Sequence, residues 1–282
     1  MIHSDGYIEL RHSEVRGSSR LYRQSWHPDS DSRAAIIIVH GLGEHSSRYA
    51  HVAQQLTDRH ITVHTLDHYG HGKSDGHAGH VPRFSVFLDG VAALLKEIRS
   101  EQPDLPLFLL GHSMGGLIAA RFLLNHQAEF RAAALSGPAF ATEEAPPAIV
   151  LWINRVLSAL LPTLPMIALD GTLVSRDPTV VEAYLNDPLV HHGKLTSRLI
   201  AELSAAMDDT LARAADVRLP LLVMHGELDR LTAPSGSIAF HASASSPDKT
   251  LKTYPGLFHE IFNEPEQDAV LADLGNWLEE HL

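Results

Sequence analysis

Two patterns of apolar and polar positions alternate along the chain. Short apolar runs occupy residues 34–39, 61–66, 107–110, 132–135, 221–224 and 250–254. Each is brief and several are β-branched, so they predict buried strands rather than helices. Between them the apolar positions take helical spacing: Tyr49, Val52, Ala53 and Leu56; then Phe84, Phe87, Leu88, Val91, Leu95 and Ile98; and near the C-terminus Val270, Leu271, Leu274, Trp277 and Leu278. This alternation predicts an α/β fold, with a mostly parallel central sheet covered by helices on both faces. Two earlier runs, 7–10 and 21–26, predict a hairpin that extends one edge.

The alternation stops at about residue 139 and resumes after 217. The intervening segment is helical in pattern, lacks strand-like runs and is punctuated by Pro146, Pro147, Pro162, Pro165, Pro178 and Pro188. It predicts a helical cap (139–217) inserted after about the sixth strand into a core of residues 1–138 and 218–282. In the cap Ile149, Trp152, Ile153, Val156 and Leu160 form one helical stripe, but Val150, Leu151, Leu157 and Leu161 lie off it. A helix apolar on more than one side needs a second apolar partner. That partner is either the neighbouring cap elements, or an acyl pocket or lipid surface touching one face.

Composition narrows the chemistry. The 282 residues carry a formal net charge of −12, which opposes general nucleic-acid binding because the phosphate term would be repulsive. No cysteine is present, so no disulfide, thiolate nucleophile or cysteine-held metal is available. The first residues lack the basic start and apolar core of a signal peptide. Asn154 and Arg155 break the most apolar stretch, leaving it short of the ~18 residues a spanning helix needs. The expectation is a soluble cytoplasmic protein, with transient contact to a membrane surface through the cap. Twenty histidines invite a metal reading. However, none forms H-E-x-x-H, and His68 and His71 sit in a glycine-rich loop without a nearby third ligand, so no metal is expected. Gly70-His71-Gly72-Lys73-Ser74 imitates a phosphate-binding loop. Asp67 stands where that motif needs glycine, and turn-like sequence follows instead of a helix.

The strongest signal is Gly111-His112-Ser113-Met114-Gly115-Gly116, between an apolar strand and a nearly all-apolar helical segment. G-x-S-x-G in this context is a nucleophile elbow, which presents the serine hydroxyl above a helix N-terminus. A serine nucleophile needs a base, and the base an orienting carboxylate, in the chain order Ser, Asp, His. Asp229 follows the apolar run 221–224, and His259 stands after the last predicted strand and before the terminal helix. Glu227 is a rival carboxylate that ranks below Asp229. The loop His40-Gly41-Leu42-Gly43 supplies a second oxyanion donor, so the backbone N–H groups of Leu42 and Met114 are the expected pair.

Taken together, HGLGEHSSRY (40–49), LDHYGHGKSDG (66–76), GHSMGG (111–116), HGELDRLTAP (225–234) and YPGLFHEIFNEP (254–265) resemble the monoacylglycerol lipase family of α/β-hydrolases, most nearly its bacterial members. SRDPTVVEAYLNDPLVHHG (175–193) resembles that family's cap, so the likeness spans nearly the whole chain. The resemblance implies a cofactor-free serine hydrolase that cleaves monoacylglycerols through an acyl-enzyme, with Ser113, Asp229 and His259 as its triad. It also implies that Glu44 and Arg48 hold the glycerol end, with Tyr184 near the alcohol site. Mammalian members carry a polar histidine where this chain has Phe262, so its glycerol site is completed differently. A lysophospholipase or broad carboxylesterase with the same triad is the alternative, and a non-catalytic lipid carrier the remote one.

Overall fold

In the computed structural model, residues 1–12, 14, 15, 17–142 and 147–282 are described. The antiparallel pair β1 (Ile2–Leu10) and β2 (Ser19–His27) leads into β3 (Ala34–Val39), α1 (Ala50–Thr57), β4 (Ile61–Leu66), α2 (Ser85–Glu101), β5 (Leu107–His112), α3 (Met114–His126) and β6 (Ala132–Ser136). The insertion then supplies α4 (Ala148–Leu160), β7 (Pro165–Ile167), α5 (Pro178–Asn186), β8 (Leu195–Thr196) and α6 (Ser197–Ala212). The core resumes with β9 (Leu221–Gly226), α7 (Pro234–Ser243), β10 (Lys249–Tyr254) and α8 (Gln267–Glu280).

Eight strands form one sheet in the order β1-β2-β4-β3-β5-β6-β9-β10. The six from β3 to β10 in this sheet run parallel, and β2 is antiparallel to both of its neighbours. Side-chain alternation sorts the core into two layers. Ile37, Val39, Leu109, Leu135 and Val223 pack with α2, α3 and Phe240 of α7, whereas Ile36, Ile38, Phe108, Leu110, Leu222 and Met224 pack with α1 and α8. Both faces are therefore dry, which is why the central strands read as unbroken apolar runs. This is the α/β-hydrolase architecture expected from the sequence, with a helical cap inserted between β6 and β9. The chain winds away from β3 in both directions, through β4 on one side and β5 on the other. A crevice for ligands lies at the carboxyl ends of the strands around such a switch point.

Three details differ from the sequence reading. The edge hairpin is longer than expected, because most of β1 faces solvent and carries no apolar run to mark it. The cap contains a two-stranded ribbon, β7 with β8, whose three and two residues are too short to show a period. In α4 the expected apolar stripe faces outward, with Ile149, Trp152 and Leu160 at 61, 60 and 73% exposure. The buried line of this helix is instead the polar pair Asn154 and Ser158, held on α6 by Asn154 Nδ2 to Ser197 O and Arg198 Nη2 to Ser158 O. Ala145 and Pro146, at the start of this apolar stretch, lie outside the described residues. Among the described residues no helix is long and apolar enough to cross a membrane.

Candidate active site

Ser113 occupies the turn between β5 and α3 with φ 55° and ψ −121°, in the left-handed half of backbone space that a side chain enters only at a cost. The turn is held by Ser113 N–H donating to Ser136 O at 2.9 Å and by Ala139 N–H donating to Ser113 O at 2.9 Å. Its glycines are required by close approach. A Cβ on Gly115 would lie 2.0 Å from Val39 O, and one on Gly111 would lie 2.4 Å from Gly115 O. The sequence signal GHSMGG is thus a packing requirement that brings α3 against β3 and aims the helix N-terminus at the serine. Met114 is the first residue of α3, where backbone N–H groups have no acceptor within the helix.

Asp229 and His259 come from the loops after β9 and β10. His259 Nδ1–H donates to Asp229 Oδ2 at 2.6 Å, which leaves Nε2 as the ring's free nitrogen. Asp229 is buried and further held by the N–H groups of Leu231 (2.8 Å) and Thr232 (3.0 Å) and by the Thr232 hydroxyl (2.8 Å). Burial would raise its pKa, but the adjacent His259 and the hydrogen bonds from His225 and His259 win and hold it well below the usual carboxylate range. His259 feels the converse. Burial disfavours its cation, yet Asp229 first, then Glu260 and Glu44, push its pKa above the ordinary imidazole value. The rival Glu227 accepts from Thr253 on the surface and takes no part here.

Leu42, Glu44, Ser113, Met114, Tyr184 and His259 line a single cavity of about 620 Å³. Its wall is apolar beneath the cap, through Phe140, Leu151, Met166, Leu195, Leu203 and Met207, and polar near Glu44 and Glu260. Asp229 stands behind His259. Arg48 stands behind Glu44, donating to Glu44 Oε2 at 2.8 Å with the Tyr184 ring 4.8 Å from its guanidinium carbon. Glu44 has a structural task as well: its Oε1 accepts from Gly41 N–H at 2.6 Å and from Tyr49 Oη at 2.7 Å, fixing the loop that carries Leu42. Burial raises its pKa, but Arg48 and then His112 and His40 lower it to about 2.

Other histidines frame these loops. Buried His40 donates from Nδ1 to Gly41 O at 2.8 Å and accepts from His68 N–H at 3.0 Å through Nε2. The phosphate-loop lookalike has a different use: Asp67 accepts from Ser46 N–H and Lys73 N–H, both at 2.8 Å, so the two loops are tied together. A Cβ on Gly72 would meet Asp67 Oδ2 at 2.1 Å. Among the described residues no three His, Asp or Glu side chains gather as a metal-holding group.

Several residues near the site were not singled out from sequence. His225 lies behind Asp229, Glu260 faces the cavity beside His259, and Arg176 and Glu264 join the cap to the loop that carries His259. All four sit within the motif segments 175–193, 225–234 and 254–265, and that membership is the signal the sequence offers for them. Phe262 turns into the apolar layer with Tyr49 and Leu257, so Glu260 forms the nearby polar wall.

Comparison with known proteins places this geometry. A family model described as "Serine aminopeptidase, S33" matches residues 30–266. A monoacylglycerol lipase of Mycolicibacterium smegmatis is 41% identical over 266 residues, covering 94% of this chain and 95% of the relative. The human monoglyceride lipase is 32% identical over 275 residues, covering 96 and 91%. The crystal structure of a monoacylglycerol lipase from Paleococcus ferrophilus superposes with a TM-score of 0.85 at 30% identity, covering 93% of this chain and 99% of that one.

Proposed function

Since this chain belongs to the S33 and monoacylglycerol lipase family of α/β-hydrolases, we propose that it hydrolyses monoacylglycerols to glycerol and free fatty acid, with Ser113, His259 and Asp229 as its catalytic triad. The observation that carries the reading is the cavity itself. The strained Ser113 and the Asp229-bound His259 open onto an apolar chamber that suits an acyl chain, with carboxylate-lined wall beside it.

The steps follow from the groups present. His259 Nε2 takes the Ser113 hydroxyl proton as Oγ attacks the ester carbonyl, while Asp229 holds the tautomer and stabilises the cation that forms. The N–H groups of Leu42 and Met114 receive the oxyanion, each donor typically contributing ~3–4 kcal/mol to transition-state stabilisation. Collapse breaks the C–O bond as His259 returns the proton to the glycerol oxygen, leaving acyl-Ser113. Water, deprotonated by His259, then attacks the acyl carbon and releases the fatty acid.

The substrate partitions into lipid, and the cap is suited to meet it there. Val150, Ile167 and Leu169 line the cavity and are also exposed, and Val150 lies on α4 itself. Each large side chain in the outward stripe of that helix would gain ~1.5–3 kcal/mol on full burial. Contact with a lipid surface through α4 therefore places the cavity mouth against the substrate pool.

The test is a rate comparison on mono-, di- and triacylglycerols and a lysophospholipid, with fluorophosphonate labelling. Monoacylglycerol should turn over fastest, and Ser113→Ala should lose both turnover and label while keeping its melting temperature within a few degrees. Esterase activity retained in Ser113→Ala would remove the assignment. A preference for the lysophospholipid would replace the substrate.

A further inference from the structure

The polar end of the cavity is closed by a charged group of three side chains. Glu260 directly follows His259 and is buried, and its carboxylate reaches Arg48. Arg48 Nη1 and Nη2 donate to Glu260 Oε1 and Oε2 at 2.6 and 2.7 Å, a two-pronged pair, and Asn263 Nδ2 donates to Oε2 at 2.8 Å. The same Nη1 donates to Glu44 Oε2. Two carboxylates thus share one guanidinium, which leaves one negative charge in excess. Position matters as much as count. Glu44 and Glu260 line the cavity and Arg48 does not; Arg48 borders a smaller neighbouring void, which Glu260 also borders, with Tyr49, His51 and Asn263.

A wall of this kind discriminates among leaving alcohols. Ionised carboxylates only accept hydrogen bonds, so they suit a group that donates, such as a hydroxyl. A phosphate ester brings like charge into a site where water screens poorly. Loss of the Glu260 charge would leave Arg48 balanced by Glu44 alone and remove the excess. We propose that Glu260 is a specificity-determining residue, which sets a second carboxylate against Arg48 on the cavity wall and so admits an uncharged, hydroxyl-bearing alcohol while excluding anionic head groups. This refinement rests on the esterase reading above and names the alcohol class it takes.

The test compares three esters of one fatty acid on the full chain: the monoacylglycerol, its phosphorylated counterpart (a lysophosphatidic acid) and the p-nitrophenyl ester. Wild type should favour the glycerol ester over the phosphate ester by ~100-fold in kcat/KM, and Glu260→Gln should narrow that ratio ~10-fold or more. Glu260→Asp keeps the charge and should restore most of the preference. Turnover of the p-nitrophenyl ester, which carries no alcohol charge, is measured in each variant, so that any change Glu260→Gln makes through His259 is read apart from the ratio of the two glycerol-derived esters. An unchanged ratio in Glu260→Gln overturns the proposal, as does a wild type that takes both glycerol-derived esters equally. Should Glu260→Gln fail to fold, product inhibition of the wild type decides. Glycerol should inhibit p-nitrophenyl ester hydrolysis more strongly than glycerol phosphate, and the reverse order or equality overturns the proposal. Turnover of the p-nitrophenyl ester with neither glycerol-derived ester would sink the monoacylglycerol reading along with this refinement, whereas equal turnover of both sinks the refinement alone.

Discussion

Glu264, on the loop that carries His259, accepts hydrogen bonds from the backbone N–H and the Nε of the cap residue Arg176, at 3.0 and 2.7 Å. The same carboxylate accepts from Phe258 N–H at 3.1 Å, one residue before His259. Ser175 Oγ donates to Asn263 O, and Glu260 N–H donates to Val174 O, so this stretch of the cap is sewn to the loop that carries His259. Arg176→Gln removes the charged arm while the two backbone donors remain. It should cost ~1–3 kcal/mol of stability and lower kcat more than it raises KM, because the base is displaced without loss of a substrate contact. Urea midpoints and steady-state kinetics check this, and a pure KM effect would assign Arg176 to substrate binding instead.

His225 should matter to catalysis although it is buried away from the substrate. Its Nδ1 accepts from the Ser237 hydroxyl at 2.7 Å, so the proton sits on Nε2, 3.1 Å from both Asp229 Oδ2 and Thr232 O. A hydrogen bond to a charged group is typically worth ~1.5–3 kcal/mol, or roughly 10–100-fold in rate where it orients the base. His225→Leu, close in volume, should lose kcat by about that factor with KM nearly unchanged. Activity at the wild-type level would show that the Leu231 and Thr232 N–H groups hold Asp229 without it.

Acid should weaken the fold well before the carboxylates titrate. Burial, chiefly, lowers the pKa of His64 to about 3 and those of His71 and His112 to about 4. A histidine kept neutral in the fold takes up its proton more readily when unfolded. Its destabilising effect is therefore absent above the unfolded value near ~6.5, and grows by up to about 1.4 kcal/mol per pH unit below it until the folded value is reached. His259, raised rather than lowered, acts with the opposite sign around neutrality. Burial also lowers the pKa of His27, His40, His68 and His80, so the lowered groups outnumber it; urea midpoints should fall from pH 7 to pH 5, and His64→Gln should reduce that slope. Catalysis shares the histidine dependence: kcat/KM should rise with pH through a midpoint above the ordinary imidazole value, as His259 becomes neutral.

The outward face of α4 should govern activity on lipid without touching activity on a soluble ester. Trp152 and Leu160 are exposed at 60 and 73%, and neither lines the cavity. Replacing Trp152 with Glu puts charge on the docking face and removes an apolar anchor, so retention on vesicles and turnover of vesicle-borne monoacylglycerol should both drop ~10-fold or more. Rates on a dissolved short-chain ester should stay within about twofold, since the variant leaves the chamber intact. Unchanged vesicle turnover would separate α4 from lipid contact.

Much of this protein was legible from residues alone. The strands at 34–39 and 61–66 announced themselves because both faces of the sheet are dry, which forces uninterrupted apolar runs. GHSMGG was legible because an added Cβ at Gly111, Gly115 or Gly116 would lie only 2.0–2.7 Å from neighbouring atoms, leaving almost no latitude in sequence. The meeting of Asp229 and His259 was legible from strand order, since the loops after β9 and β10 lie together at the carboxyl ends of parallel strands.

Tertiary structure alone decided the rest. Periodicity reports which side of α4 is apolar, but only packing against α6 turned the apolar side outward and the polar pair Asn154 and Ser158 inward. Arg48 and Glu260 lie 212 positions apart, and Arg176 and Glu264 lie 88 apart, so no local pattern links either pair. Local spacing encodes backbone geometry and the turn that presents Ser113. Charge partners and the direction of a cap helix depend on contacts between remote segments, and these exist only once the chain has folded.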